Sequence, residues 1–250
     1  MGARLRRTLI AIALALPIVL AGSAFPDDPA SAAPPSAASG CAGLAHRILV
    51  PPSTSQLITV LVTDHRATTA TVQAWGRQPD GCFARLGPAL SAFVGWHGTS
   101  TTKREGDGAT PVGTFRLGGR LYEIGSPLPG AERHQPITCG SWWDEDPLSP
   151  DYNRFVQLPC GQRPTFGGGS EALWTEQVAY QHLVEIRYNA GPIVPGWGSG
   201  IFLHGSTGSP TAGCVALPGG VLELVLSWLD PAQRPVIAIG TRSDLGTTPR

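Results

Sequence analysis

Residues 56–63 (QLITVLVT) and 69–76 (TATVQAWG) run β-branched and apolar with partial alternation, the pattern of strands in a half-buried sheet. Residues 83–94, 113–117, 154–158 and 179–188 read the same way and are divided by turn-forming residues. In the last of these Val184, Ile186 and Tyr188 fall on one face, with Glu185 and Arg187 on the other. Ile201-Phe202-Leu203 predicts a short buried strand, and residues 235–240 (PVIAIG) a closing one. Helical period occurs convincingly only over residues 219–230, where Val221, Leu222, Val225, Leu226 and Leu229 share an apolar face and Pro231 ends it. No internal repeat is present. Many short strands and few helices predict one mainly β domain over residues 41–242, followed by a flexible tail at 243–250.

The first residues follow a different pattern. Arg4, Arg6 and Arg7 precede an apolar run over 9–20, which small residues follow from Ala21 to Ala24. This predicts a secretory signal peptide over 1–24, because the run is short of the ~20 residues that a spanning helix needs. Ser23 stands where a lipoprotein would carry its acylated cysteine. Residues 25–40, rich in Pro, Ala and Ser, read as a linker. The expected location is secreted, outside the cytoplasm.

Composition narrows the function. Lys+Arg 18 balances Asp+Glu 18, and a nucleic-acid binder needs a basic surplus to displace counterions, so nucleic acid is not an expected partner. With 42% hydrophobic residues a core can form, and Gly 32 with Pro 24 fits a turn-rich β domain. The five cysteines are an odd number. In an oxidising compartment pairs become disulfides and a leftover thiol needs a reason. Cys41, Cys82, Cys139 and Cys160 each sit beside Gly or Pro; the simplest pairing joins Cys41 to Cys82 and Cys139 to Cys160, with other connectivities open.

That leaves Cys214. The segment IFLHGSTGSPTAGCVALP sets His204 at the end of a predicted strand, then a loop with Gly205, Gly208 and Gly213, then Cys214, then the helix. An imidazole nearby can take the proton of a thiol that is otherwise mostly protonated, or hold it as a thiolate–imidazolium pair. The N–H groups of Gly213 and Cys214 are candidates for an oxyanion hole.

A strand ending in His204-Gly205, followed by Thr211-Ala212-Gly213-Cys214, resembles the catalytic signature of the YkuD-type L,D-transpeptidases. Residues 108–117 (GATPVGTFRL) resemble that family's TPxGxF turn, and residues 141–156 (SWWDEDPLSPDYNRFV) are similar to a segment of its secreted actinobacterial members. The resemblance implies a mainly β fold, an L,D-transpeptidase-like β-sandwich of mixed sheets with one or two short helices. It also implies an enzyme in which Cys214 is the nucleophile, His204 the base, and Thr211, Gly213 and Gly205 shape the loop and oxyanion site.

The implied reaction is acyl transfer from a peptidoglycan tetrapeptide stem, with release of D-Ala and formation of 3-3 crosslinks. Water as acceptor would make it an L,D-carboxypeptidase, and a catalytically weak wall-binding protein is the remaining alternative. Covalent inhibition by carbapenem-type β-lactams follows from the same resemblance, as does a backbone carbonyl orienting the histidine. No cofactor or metal is implied, and a monomer is expected. Where the family commonly carries Arg two places after the nucleophile, this chain has Ala216; Arg116, Arg154 and Arg187 lie near the matched motifs as substitutes.

Other residues read as ordinary or secondary. Trp142, Trp143 and Trp197 are candidates to line a glycopeptide groove. Asp144, Glu145 and Asp146 read as a solvated loop, His97-Gly98 as a turn, and His46, His65, His134 and His182 show no metal-ligand spacing.

Overall fold

The structure, a computed structural model, describes residues 41, 43–129 and 133–246. The predicted signal peptide and linker lie outside the described residues. Strands β1 (Gln56–Leu61), β2 (Thr69–Arg77) and β3 (Phe83–Phe93) form an antiparallel meander. A short pair, β4 (Thr99–Ser100) and β5 (Thr110–Pro111), precedes the long β6 (Gly113–Glu123) and β7 (Arg133–Pro136). Strands β8 (Ser141–Asp144), β9 (Arg154–Gln157) and β10 (Glu171–Ala172) make a separate small sheet. The chain then runs through β11 (His182–Ile186), β12 (Phe202–Gly205), β13 (Val215–Leu217), α1 (Gly219–Trp228), β14 (Val236–Gly240) and α2 (Arg242–Gly246).

The fold is mainly β with mixed sheets and two helices, as predicted. The large sheet has the order β11-β12-β13-β3-β2-β1-β14-β6-β7, and β6 also pairs with β11. Residues 113–116 of β6 pair with β14, while 117–123 pair with β11, so one strand twice the predicted length closes the sheet on itself. Closure leaves few unpaired edges.

Inside lies an apolar cluster that includes Ile58, Val60, Val72, Val184, Leu203 and Ile237. Leu222, Val225 and Leu226 of α1 and Leu229 just beyond it complete that cluster, each worth about 2 kcal/mol of burial. The predicted helix face is therefore the one that packs.

Two predictions need correction. Cys214 is followed by strand β13 before the helix, because Val215, Ala216 and Leu217 are drawn into the sheet between β12 and β3. The expected tail begins instead as α2, held by the burial of Leu245 against Ala45, Ile48 and Ala238. Disulfides join Cys41 to Cys82 and Cys139 to Cys160, and Cys214 is a buried free cysteine. Closing loops of 41 and 21 residues stabilises by about 3–4 kcal/mol each in the chain-entropy model.

Candidate active site

Strands β12 and β13 are parallel neighbours, with His204 opposite Ala216. Parallel neighbours require the chain to travel back along their length, which normally takes a long crossover. Here the strands have 4 and 3 residues, so the loop from Ser206 to Cys214 suffices. That loop is docked on the chain after β3, where Thr211 N–H donates to Val94 O and Trp96 N–H to Thr211 O. The result puts His204 and Cys214 on the wall of one cavity of about 450 Å³.

Both side chains are nearly enclosed, Cys214 at 6% and His204 at 7% exposure. The Cys214 thiol donates to Gly200 O and its sulfur accepts from Phe202 N–H, both at 3.3 Å. His204 Nδ1 lies 2.7 Å from Gly205 O, which fixes the proton on Nδ1 and leaves Nε2 as the basic nitrogen. Gly205 in turn donates its N–H to Ala179 O. A backbone carbonyl thus orients the ring, and the Tyr180 ring meets it edge-on at 5.5 Å.

The three sequence motifs converge on this loop through hydrogen bonds. Cys214 O accepts from Thr211 Oγ1 at 2.8 Å and from Thr110 Oγ1, the threonine of the TPxG turn, at 3.1 Å. Gly213 N–H donates to Thr211 Oγ1, so that N–H is held by the loop itself rather than offered to an oxyanion. Asn153 Oδ1 accepts from Gly200 N–H and from Trp143 Nε1, while its Nδ2 donates to Tyr188 O and Asn189 O. Tyr152 accepts from Gly198 N–H and donates to Glu105. Gly200 has φ +60, and a Cβ there would fall 1.8 Å from Glu145 Oε1, so only glycine presents its carbonyl to the thiol.

Burial sets the electrostatics. It pushes the Cys214 thiol far above its ordinary value, with the nearby Glu171 charge adding to it and Phe202 N–H and Lys103 opposing it. Burial also pushes His204 down to about 4, against the hydrogen bond to Gly205. The resting pair is therefore a neutral thiol and a neutral imidazole, not a thiolate–imidazolium pair. Burial raises Glu145 to about 9 and Glu171 to about 7.

Several predicted roles move. Trp143, 2% exposed, packs on Tyr122 and Phe202 beneath β12, where an aromatic layer supports that strand. Trp142 packs on Phe166 and Trp174, and Trp197, 49% exposed, is capped by the Arg104 guanidinium. The tryptophan that lines the cavity is Trp96. Arg116, Arg154 and Arg187 line other depressions of the surface.

The basic residue in the cavity is Lys103, which lies outside the three sequence motifs. The three adjacent carboxylates also part company. Asp144 is fully buried on Ser149 and Ser170 hydroxyls, Glu145 lines the cavity, and Asp146 accepts from Gly167 and Leu148 N–H. His97 sits in the loop between β3 and β4, its Nδ1 on Asp107 O. Cys41, His46 and Cys82 bring possible ligand atoms within 4.8 Å of one another, but the two sulfurs are joined to each other.

No curated protein matches the chain. A family model described as the YkuD L,D-transpeptidase catalytic domain matches residues 45–238, a span that holds β1 to β13, α1, the cavity and all three motifs. With most of its length matched, His204 and Cys214 on the wall of one cavity and the TPxG turn bonded to Cys214 O, the chain belongs to the YkuD family of L,D-transpeptidase catalytic domains.

Proposed function

We propose that this protein is a peptidoglycan L,D-transpeptidase with Cys214 as nucleophile and His204 as base. The observation that carries the reading is the pairing, in one cavity, of the only free cysteine among the described residues with an imidazole whose Nδ1 is fixed by Gly205 O. The thiol leaves Gly200 O and passes its proton to His204 Nε2 as sulfur attacks the carbonyl at the L-centre of the diamino-acid residue. Attack, rather than a preformed ion pair, draws the proton across, because burial favours both neutral forms. The carbonyl–nitrogen bond then breaks, His204 returns the proton to the departing D-Ala amine, and a thioester remains. An acceptor amine attacks the thioester, His204 takes its proton, and the released sulfur is reprotonated as the 3-3 crosslink forms.

The mature protein is proposed to act as an exported monomer at the cell wall, after cleavage near residue 24. Incubation with a carbapenem followed by mass spectrometry tests the chemistry. One adduct on Cys214, absent in Cys214→Ala, is the expected result. A protein that never acylates yet binds sacculi would instead be an interaction protein. Muropeptide analysis separates the acceptors: new dimers mark transpeptidation, and tripeptides alone mark hydrolysis.

A further inference from the structure

The charge around the cavity is lopsided. Glu105, Glu145, Glu171 and Glu176 line it, and Lys103 is its one lysine or arginine among the described residues. Lys103 is also the single lysine of the whole chain. Its side chain is 4% exposed, and its Nζ donates to Asp107 Oδ1 at 2.5 Å and to Arg104 O at 3.1 Å. Those bonds use two of the three N–H groups of an ammonium.

The ammonium also faces Gly213. A Cβ on that residue would lie 3.4 Å from Nζ, so the missing side chain leaves the ammonium against the backbone that immediately precedes Cys214. Asp107 does not spend its charge on Lys103 alone, since it accepts from Arg104 N–H and Ala109 N–H as well. Burial pushes its carboxyl up, yet the bonds from Lys103 and these amides hold it below the usual carboxylate range. Burying an ammonium costs several kcal/mol before pairing, and an apolar side chain would fill this place without that cost.

In a tetrapeptide donor the free carboxylate of the terminal residue is three bonds from the attacked carbonyl carbon, within about 4 Å of it. An anion so placed enters a cavity lined by carboxyl groups, and only one cation there can meet it. We propose that Lys103 binds the terminal carboxylate of the leaving residue, and so confines the site to donors that end one residue beyond the scissile carbonyl. This rests on the transpeptidase reading above, and it supplies from the loop before β5 the charge that Ala216 does not. Burial keeps Glu145 largely protonated and Glu171 about half protonated near neutrality, which lessens repulsion of the incoming carboxylate.

The test uses the full mature chain carrying Cys214→Ala and an N-acetylated tetrapeptide stem ending in D-Ala, as free acid or as carboxamide, with binding followed by calorimetry. The acid is expected to bind about tenfold more tightly than the amide, the worth of one charge-assisted hydrogen bond. Adding Lys103→Met brings the acid down to the level of the amide, and Lys103→Arg restores most of the preference. An acid preference that survives Lys103→Met overturns the assignment. So does equal binding of acid and amide by the Lys103 protein, a result that holds even where Lys103→Met does not fold. Carbapenem acylation of the protein that retains Cys214 separates the two readings. Selective binding of the acid without any acylation upholds Lys103 and defeats the transpeptidase; acylation without selectivity defeats Lys103 alone.

Discussion

The two sides of β12 are built on different physical terms. On one side Leu203, Val215 and Leu217 join Leu226 and Ile58 in an apolar cluster held by buried area alone. On the other, Phe202 and Cys214 join Trp143, Tyr180 and Leu183, and the backbone around them is held by side-chain hydrogen bonds from Thr110, Thr211 and Asn153. The first side is non-directional, so loss of volume should weaken the fold and leave the chemistry intact. The second is directional, and loss of one polar atom should move the loop that carries Cys214.

Removing the proposed base should give the largest effect. His204→Ala is expected to lower the rate of Cys214 acylation by about 10²–10⁴-fold with little change in melting temperature, as read by time-resolved mass spectrometry. Leu226→Ala, in the apolar cluster, is expected to cost about 3 kcal/mol in denaturant unfolding while the acylation rate of the folded protein stays within twofold. Equal damage to rate and stability there would erase the distinction between the sides.

Asn153→Ala leaves Gly200 N–H and Trp143 Nε1 without their acceptor, and is expected to cost about 2 kcal/mol. Unlike Leu226→Ala it should also slow acylation, because Gly200 O is the resting partner of the thiol. A normal rate in this variant would show that the backbone clamp is not needed for reactivity.

The smallest effect is a pH dependence. Burial first, then the charges of Glu171 and Glu105, raises Glu145 from 4.5 to about 9. The folded protein therefore binds a proton that the unfolded chain gives up, and this contribution, complete below about pH 4.5, is lost as pH rises through 9. Glu145→Gln has no such titration. Its melting temperature should match the parent near pH 4 and exceed it by a few degrees at pH 8, by calorimetry. A constant difference across that range would remove the protonated Glu145 from the account.

Much of the apolar side was legible in the sequence. The continuous apolar run of residues 56–61, buried on both faces, the alternation in 69–77 and the 3.6 period of Leu222, Val225 and Leu226 are local patterns, and such patterns decide local structure. Cys214 and His204 were legible for another reason, since an odd cysteine after a His-Gly strand end is chemically conspicuous. Lys103 and Glu145 were not. Each stands in a charged, turn-like stretch, KREGDG or WWDEDP, whose composition reads as solvated loop. Trp143 was misplaced in the opposite sense, because an indole reads equally well as groove or core.

The sequence by itself determined the longer apolar strands, the helix face and the identity of the thiol and the imidazole, because those depend on the period of apolar residues and on chemistry carried by single residues. Only the tertiary structure decided which charges the thiol meets. The closing of the sheet through β6 and the clamping of Gly198 and Gly200 by Tyr152 and Asn153 bring a lysine and four glutamates from segments distant in the chain to one cavity. Desolvation there depends on what packs around a group and not on its neighbours in the chain, and it sets the protonation of His204, Cys214 and Glu145.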